Sequence, residues 1–326
     1  MRFRIAVTLT SAVLLASSGA AKDEWPAPLA IYGNKHTIEI APVLVASAIA
    51  YAHLDNIHMG GIPNLVGEPG TPDSEAGEAD LATNAETQLL RQSVKHPDLR
   101  IVAGVSEGLY RIVARRSAGI ARVADLRGKR VATIEQTSSG YFLDRMLRRA
   151  GLTFDDIQAK PFVPLSGMTE ALKKGEVDAV VIWEPEALHA EQALGPDVIE
   201  FTGEGVYREL FNLNTTAGKL ADPVMRARIV GFVRALINAR DNIRKDPLGA
   251  KILVSQIGGF DPRDVEASWA HHRFVPAMPG DLLDVLVEEE QWLAARDKRP
   301  PRGRKELAKL IDSSVYRQAV AMGPYE

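Results

Sequence analysis

The chain has 326 residues, of which 46% are hydrophobic and 25% are charged, a composition that is typical of a globular protein of about two domains. Its formal net charge of -3 shows no excess of basic residues, so a nucleic-acid partner is not expected. The absence of cysteine excludes disulfides, thiolate-based zinc sites, iron–sulfur clusters, a cysteine nucleophile and a lipidated N-terminal cysteine.

Residues 1–21 have the layout of a secretory signal peptide. Arg2 and Arg4 form a positive start, Ile5–Ala16 is an apolar run, and small residues lead to a cleavage site near Ala21. The apolar run is short for a membrane span, and a membrane anchor is the alternative interpretation. We therefore expect a mature protein that has crossed the inner membrane and is located in the periplasm.

Apolar runs of strand length alternate with helix-periodic segments along the rest of the chain, which is typical of an α/β protein. In the first half, the predicted elements are strand Leu29–Tyr32, helix Ile40–Tyr51, strand Asn56–Met59, a Gly- and Pro-rich loop Gly60–Ser74, helix Glu86–Lys95 and strand Leu99–Val105. They continue with strand Lys129–Ile134, helix Tyr141–Ala150, strand Val177–Trp183 and helix Glu186–Leu194. The last third is mostly helical, with helices at Val224–Lys245, Leu248–Ile257, Pro262–His271, Asp281–Arg296 and Arg304–Ile311.

An internal repeat indicates two similar α/β lobes. The segment Gly77–Leu81, GEADL, is matched later in the chain by Gly175–Ala179, GEVDA. In the same register Glu86 falls opposite Glu184, and each follows a short apolar strand at the start of a helix. A strand with a polar loop also precedes each copy. Agreement of several elements in one register favours a duplicated lobe over chance.

The predicted ligand site lies where the strand-end loops of the two lobes meet. Ligands of open parallel sheets bind outside the carboxyl ends of the strands, and two facing lobes would line one cleft that closes by hinge motion. The predicted ligand-binding residues are Asn34, His36, Asn84 and Glu86 from the first lobe and Thr137, Ser138, Ser139, Trp183 and Glu184 from the second.

Each of these residue types also has an interpretation without a ligand. Thr137 to Ser139 offer hydroxyls and free N–H groups to an anion or carbonyl, or they form an ordinary helix N-cap. Glu86 and Glu184 favour a cationic or hydrogen-bond-donating ligand, or they interact with a helix dipole, or they act as a catalytic pair. Trp183 stacks on a ring or a cation, or it packs in the core.

The sequence contains no recognised catalytic or metal-binding motif. GxSxG, GxGxxG and GxxxxGK[ST] are all absent, and His53 and His58 lack the HExxH spacing. The adjacent pair His271 and His272 cannot readily face one metal ion from a helix. We therefore expect no catalytic residue, no metal and no cofactor.

Several segments together resemble a known family. The segment Ala124–Ala132, ADLRGKRVA, with Pro97–Gly104, Thr137–Gly140 and Ala171–Ala179, resembles the scaffold motifs of the nitrate-, sulfonate- and taurine-type periplasmic binding proteins. These are solute receptors of ABC importers, and they share a fold with thiamine-pyrimidine-binding proteins. The matching motifs belong to the scaffold, so they leave the ligand open.

The resemblance implies an α/β fold with two lobes, like that of the type II periplasmic binding proteins. Each lobe would be a mainly parallel sheet flanked by helices, with the ligand cleft between the lobes. The family's two crossover strands would lie near Val105–Ile112 and Phe201–Leu210. Lobe 1 would then comprise 25–108 plus 208–326, and lobe 2 would comprise 109–207. The loop Gly60–Ser74 is longer than the family's usual connection.

The function implied by the resemblance is capture of a small organic solute for an inner-membrane ABC permease with its ATPase. The solute would be sulfonate- or taurine-like or a nitrogen-containing heterocycle, and the receptor would be a monomer without enzymatic activity. The acidic Glu86 and Glu184 fit a sulfonate or nitrate poorly. The alternatives are a periplasmic ligand sensor, a carrier of a bulkier apolar or lipid ligand, or an enzyme of the pyrimidine-synthesis type. That enzyme class is disfavoured because its members need a cysteine-rich segment, and this chain has no cysteine.

Overall fold

The structure is a computed structural model that describes residues 28–51, 55–162 and 164–324. The predicted signal peptide at 1–21 and His53 lie outside the described residues. Within the described ranges, no helix is long and apolar enough to cross a membrane.

The described residues form eleven strands, and their bounds are β1 Ile31–Gly33, β2 Ile57–Met59, β3 Leu81–Ala85, β4 Leu99–Gly108, β5 Arg111–Arg115, β6 Arg130–Ala132, β7 Gln158–Lys160, β8 Ala179–Val181, β9 Val198–Thr202, β10 Glu209–Thr216 and β11 His272–Arg273. The α-helices are α1 Ala41–Ala50, α2 Ile62–Val66, α3 Glu86–Gln92, α4 Ser138–Arg149, α5 Ser166–Lys174, α6 Glu186–Leu194, α7 Ala217–Ala221, α8 Pro223–Lys245, α9 Pro247–Gly258, α10 Pro262–Ser268, α11 Leu282–Arg296, α12 Arg304–Leu307 and α13 Ser313–Ala321.

The strands form two sheets, as the two-lobed prediction requires. Sheet I has the order β11-β4-β10-β3-β1-β2, and sheet II has the order β7-β6-β8-β5-β9. In sheet I the strands β1, β2 and β3 run parallel, and in sheet II the strands β6, β7 and β8 do so. The other pairings are antiparallel, so the sheets are mixed rather than mainly parallel.

Two of the antiparallel pairs, β4–β10 and β5–β9, arise from the passage of the chain between the sheets. The chain leaves sheet I along β4, enters sheet II along β5, leaves it along β9 and returns along β10. Because β10 lies beside β4 and β9 lies beside β5, each outgoing strand runs opposite to its returning neighbour. Both passages fall inside the segments predicted as crossovers, Val105–Ile112 and Phe201–Leu210. The lobe limits themselves stay a prediction.

The two copies of the internal repeat make equivalent hydrogen bonds, one in each sheet. In the first copy, Asp80 precedes β3, and its Oδ2 accepts a hydrogen bond from the Ala30 N–H before β1 at 3.0 Å. In the second, Asp178 precedes β8, and its Oδ2 accepts one from the N–H of Arg130, which begins β6, at 2.9 Å. In both sheets the later strand pairs in parallel with the earlier one. The repeat therefore encodes the same strand–strand junction in each sheet.

The prediction of a loop over Gly60–Ser74 is wrong for its first part, which forms the helix α2. Pro63 lies in the first turn of this helix, where its missing N–H costs no hydrogen bond. Gly67 ends the helix in the left-handed region with φ 69°, which glycine adopts without steric cost. Glycine and proline here are the stop and start signals of a short helix rather than the mark of an uninterrupted loop.

A continuous apolar core connects the two sheets. In sheet II, Ile112 and Ala114 of β5 join a cluster that also contains Leu99 and Ile101 of β4, whereas Val113 faces the helices α5 and α6. This alternation follows the two-residue period of strand side chains. Because the core is shared, the strand ends of the two sheets are held against one another.

Candidate functional site

The loops that follow the parallel strands of the two sheets meet at one interface. The Thr37 hydroxyl, after β1, lies 3.3 Å from the carbonyl oxygen of Glu184, after β8. Gln88 Nε2 and Arg91 Nη1 on α3 donate hydrogen bonds to the Gln136 carbonyl, after β6, at 3.0 and 3.1 Å. Polar groups therefore line the contact between these loops.

The first three predicted residues serve local structure on the sheet I side. Asn34 Oδ1 accepts a hydrogen bond from the His36 N–H at 2.9 Å, and the His36 side chain is exposed. Asn84 Oδ1 accepts one from the Ile62 N–H at 2.9 Å and so holds the start of α2. Contact of these residues with a ligand stays a prediction.

The hydroxyl segment at the start of α4 divides into two parts. Thr137 Oγ1 donates to the Ile134 carbonyl at 2.8 Å, and it lies 2.9 Å from Ser139 Oγ. Ser138 is buried and points elsewhere, since its hydroxyl lies 2.8 Å from Tyr110 Oη. Ser138 is thus the member of this segment that reaches the connection between β4 and β5.

Trp183 borders a small void at the interface. The void measures about 10 Å³, and its walls include Glu39, Arg111, Trp183 and His271. Such a volume suits roughly one water molecule. The indole Nε1 of Trp183 is buried without a hydrogen-bond partner among the described residues.

Glu184 belongs to a group that we call the arginine cluster, which consists of Arg111, Glu184, Glu191 and Glu200. Arg111 Nε donates to Glu184 Oε1 at 3.0 Å, and Nη1 contacts Glu191 Oε2 and Glu200 Oε1 at 2.7 and 2.5 Å. The Leu188 N–H donates to Glu184 Oε2 at 3.0 Å. Arg111 and Glu184 are 2% and 4% exposed, so this ion pair is shielded from water.

The electrostatics of the arginine cluster follow from burial and from its one guanidinium. Burial raises the pKa of Glu184, although Arg111 opposes the shift. Burial, and then the positive charge of Arg111, lower the pKa of His271 to about 4. The imidazole of His271 is therefore neutral at physiological pH, and Arg111 is the permanent cation of the cluster.

Glu86 belongs to a second group, the carboxyl cluster, which we define as Glu86, Glu209, Glu289, Tyr110 and Tyr207. Tyr207 Oη donates to Glu86 Oε1 at 2.6 Å. The backbone N–H of the residue after Glu209 donates to Glu86 Oε2 at 2.9 Å. Glu289 of α11 is fully buried and shares a hydrogen bond with the carboxyl group of Glu86.

Glu209, the first residue of β10, is only 3% exposed and has two neutral hydroxyl partners. Its Oε1 accepts a hydrogen bond from the Tyr110 hydroxyl at 3.0 Å. The Ser138 hydroxyl lies 2.8 Å from Tyr110 Oη and is the other hydrogen-bond partner of Glu209.

The carboxyl cluster has strongly displaced pKa values. Burial, and then the charges of Glu39 and Glu86, raise the pKa of Glu209 well above its ordinary value. Burial, and then the charge of Glu86, do the same for the pKa of Glu289. Burial also raises the pKa of Tyr207 well above its usual value, so its hydroxyl remains a donor. In this conformation the cluster holds protons that exposed carboxylates release.

The two predicted glutamates are both buried at the interface, but they have separate partners. Glu86 is hydrogen-bonded in the carboxyl cluster, and Glu184 is paired in the arginine cluster. No hydrogen bond between them occurs in the described part of the chain. The catalytic-pair interpretation requires two carboxyl groups that act on one substrate, and this geometry does not supply it.

Sequence reasoning missed the partners that make these clusters. Tyr110 and Arg111 lie in the first predicted crossover, and Glu209 lies in the second. A charged residue within an apolar crossover is the signal that would have found them. The adjacent pair Glu289 and Glu290 within a predicted helix is a weaker signal, because most helical glutamates are solvated.

A larger cavity lies on the protein surface beside α2. It has a volume of about 540 Å³, and Asn64, Gly77, His96 and Asp98 contribute to its walls. None of the predicted ligand-binding residues lines it. In the described part of the chain, no group of three or more His, Asp or Glu side chains is arranged to hold a metal ion.

Comparison with known proteins agrees with this architecture. A family model described as NMT1/THI5-like matches residues 40–250. A protein from Escherichia coli strain K12, whose name refers to the binding of aliphatic sulfonates, is 42% identical over 74 residues. That alignment covers 23% of this chain and 23% of the relative, so the chain matches about a quarter of the length of that relative.

Solved structures share the fold at low sequence identity. The periplasmic aliphatic sulphonate binding protein SsuA from E. coli has a TM-score of 0.70 and 20% identity, with 87% of this chain and 91% of that chain covered. The desulfurization enzyme DszB has a TM-score of 0.61 and 16% identity, with 90% and 98% covered. Binding proteins and an enzyme both have this fold, which confirms the predicted fold class and leaves the activity to the site.

Proposed function

Because the chain belongs to the NMT1/THI5-like family, we propose that it is the solute-binding component of an ABC importer. In this role it captures a small organic solute between two hinged lobes and delivers it to an inner-membrane permease with its ATPase. The lobes correspond to 25–108 plus 208–326 and to 109–207, and they turn about the two passages between the sheets. Chemistry on the solute is not required.

The observation that carries this proposal is the polar interface between two sheets that the described chain joins at two places. Loops after the parallel strands of both sheets meet there, which is where α/β proteins place ligands. The buried indole Nε1 of Trp183 at the interface lacks a partner within the described chain. Groups of this kind are costly unless a ligand satisfies them.

Location and assembly follow from the same role. The N-terminal sequence and the periplasmic relative with this fold support a periplasmic receptor, and we propose that it acts as a monomer. A second solved structure of the enzyme with this fold is that of a cysteine-to-serine variant in complex with biphenyl-2-sulfinic acid. This chain has no cysteine, which favours a receptor over an enzyme of that type.

Native mass spectrometry and thermal shift of the exported protein test the proposal. The solute panel contains sulfonates, taurine, nitrate, amines, pyrimidines and aromatic acids. A true ligand well above its dissociation constant is expected to raise the melting temperature by several degrees, because it binds only the folded state. A solute-sized bound mass under native conditions is the second expected result.

A matched pair of variants locates the binding. Ser138 and Ser166 are each the first residue of a helix, but Ser138 is buried at the interface and Ser166 is exposed. Ser138→Ala should reduce the ligand-induced shift, and Ser166→Ala should leave it unchanged. The absence of any shift across the panel, together with no bound mass, would overturn the proposal. A heavy apolar adduct would favour the carrier alternative.

A further inference from the structure

We infer that α4 and α11 form a clasp that holds the two halves of the protein closed before a solute binds. The clasp consists of three contacts, Arg145–Glu288, Tyr141–Trp292 and Glu135–Arg296. The inference rests on the proposed function, in which the halves 25–108 plus 208–326 and 109–207 turn about the two passages between the sheets. It adds to that function a device that sets how often the ligand-free receptor is open.

The clasp joins elements of opposite halves. The helix α4 follows β6 and contacts β8 of sheet II, whereas α11 contacts α3, which follows β3 of sheet I. Glu135 lies between β6 and α4. Each contact of the clasp therefore runs from one half to the other, and separation of α4 from α11 would break all three.

The two sides of the clasp are complementary along their length. On α11, Glu288, Trp292 and Arg296 are spaced four residues apart, so they share one face of the helix. The three residues of the other half meet them in the reverse order along the chain. Each half contributes one acidic, one aromatic and one basic side chain, and the order of the charges fixes an antiparallel register.

The aromatic contact forms the middle of the clasp. The ring centroids of Tyr141 and Trp292 lie 5.1 Å apart in an edge-to-face arrangement. The guanidinium of Arg296 lies 5.3 Å from the Trp292 ring and 4.5 Å from the ring of Phe154, which follows α4 in the other half. The guanidinium of Arg145 lies 5.9 Å from the Tyr141 ring. Each arginine is thus attracted by a carboxylate of the opposite half and by an aromatic face.

The exposure of its ion pairs makes the clasp reversible. The charged side chains of the clasp are between 26% and 57% exposed. Because water reaches them, separation replaces each ion pair with hydration at a small cost in free energy. The buried ion pair of Arg111 and Glu184 lies within one half, so it stays intact when the halves turn.

Closure and solute entry exclude each other at the strand ends. The void beside Trp183 measures about 10 Å³, which suits roughly one water molecule and is too small for an organic solute. A solute therefore enters while α4 and α11 are apart, and the clasp competes with it for the open form. A weaker clasp should raise the population of the open form.

The distance between the outer edges of the two sheets tests the clasp. The strands β2 and β7 are the last strands of their sheets, and the exposed Asp73 and Lys160 lie beside them. Because the chain has no cysteine, Asp73→Cys and Lys160→Cys provide two specific sites for spin labels. Pulsed EPR of the mature, ligand-free protein is expected to give mainly one short distance, with a minor longer distance from the open form.

Reversal of two charges of the clasp should open the protein. Arg145→Glu combined with Arg296→Glu brings like charges together at both ends of the clasp, and we expect the ratio of long to short distances to rise about tenfold. Addition of Glu288→Arg and Glu135→Arg exchanges all four charges. This fourfold exchange should restore the short distance, because opposite charges again face each other.

A matched control keeps the same change in net charge. Arg148→Glu combined with Arg244→Glu alters two exposed arginines whose ion pairs lie within their own helices, and it should keep the wild-type distances. Arg145→Gln removes one ion pair of the clasp without adding repulsion. It should lengthen the distances to a smaller extent, and it provides the test if the double reversal does not fold.

The outcomes separate this inference from the proposed function. Wild-type distances in the folded double reversal or in Arg145→Gln would overturn the clasp. An equal lengthening in the control, or a fourfold exchange that stays open, would also overturn it. These measurements involve no solute, so the receptor proposal would stand in each case. That proposal fails only if the wider solute panel and native mass spectrometry are both negative.

Discussion

Glu289 and Glu290 are adjacent on α11, and both are fully buried, yet they belong to opposite electrostatic regions. Glu290 contacts Arg299 Nη1 at 2.5 Å and Arg302 Nη2 at 2.8 Å. Burial alone would raise its pKa, but the hydrogen bonds from Arg302 and Arg299 bring the pKa to about 2. Glu289 has no such donor, and its pKa is raised well above the ordinary value.

The comparison shows that the partner, not the depth of burial, decides what a buried carboxyl group does. A fully paired carboxylate holds elements together, and its loss exposes an unpaired guanidinium. A buried carboxyl group without a cation keeps its proton and hydrogen-bonds to neutral partners instead. The arginine cluster is the first case and the carboxyl cluster the second.

Replacement of Arg111 should produce the largest loss of stability. Arg111→Met removes the cation that contacts Glu184, Glu191 and Glu200, and it leaves the buried Glu184 without compensation. We expect the free energy of unfolding to fall by about 3–5 kcal/mol, measured by urea denaturation at neutral pH. Arg263→Met is the control, because Arg263 has 89% of its side chain exposed. Similar small losses in both variants would contradict the assignment of Arg111.

Variants of the two neighbouring glutamates of α11 test directly how much each carboxyl group contributes to stability. Glu290→Gln keeps the shape but removes the charge from the bonds to Arg299 and Arg302, and we expect a loss of about 2–3 kcal/mol. Glu289→Gln should cost less than about 1 kcal/mol, because it replaces one neutral hydrogen-bond partner of Glu86 with another. Equal losses in the two variants, measured in the same denaturation series, would refute the distinction.

Removal of a neutral donor should have an intermediate effect. Tyr207→Phe deletes the hydroxyl that donates to Glu86 Oε1, and it leaves that buried carboxylate with one donor fewer. The expected loss is about 1–2 kcal/mol of unfolding free energy. Tyr316→Phe on α13 is the control, because this half-buried tyrosine lies outside both clusters. An unchanged Tyr207→Phe protein would show that Glu86 does not depend on this hydroxyl.

The smallest effect is expected at a partly exposed ion pair between the two halves. His189 Nε2 on α6 lies 2.9 Å from Asp264 Oδ2 on α10. The hydrogen bonds to Glu186 and then to Asp264 raise the pKa of His189 to about 9 from its ordinary 6.5. Protonated His189 therefore stabilises the fold fully below pH 6.5, and this stabilisation is lost as the pH rises through about 9.

Solvent screening limits the size of this effect, since the His189 side chain is 34% exposed. We expect less than about 1 kcal/mol, seen as a decline in unfolding free energy between these pH values. His189→Gln should flatten that part of the pH profile, whereas His58→Gln should leave it in place because His58 lies on the far side of sheet I, at β2. A wild-type profile without the decline would contradict the raised pKa.

Much of the fold was predictable because local patterns agree with it. The predicted helix Glu186–Leu194 has the observed bounds, and the predicted helix Val224–Lys245 differs from α8 by one residue at its start. Strong periodicity, a proline in the first turn and terminal caps act within a few residues, so they can be read from sequence. The helix α5 was missed although it has the same length as α6.

The candidate site was predictable only in part. Strand-end position led to Ser138, Glu86 and Glu184, and all three are buried at the interface. Their partners Tyr110 and Glu209 come from the passages between the sheets, where no local pattern marks a side chain as facing a particular carboxyl group. Whether the predicted residues contact a ligand stays a prediction.

The sequence by itself determined the fold class, the duplicated lobe and the family, because hydrophobic periodicity, turn residues and scaffold motifs are local. Only the tertiary structure decided which buried charges are paired. Glu184 is paired with Arg111 and Glu290 with two arginines, whereas Glu209 and Glu289 have only neutral hydrogen-bond partners. The physical reason is that a carboxyl group's charge state depends on the donors within hydrogen-bond reach, and folding alone brings those donors from distant parts of the chain.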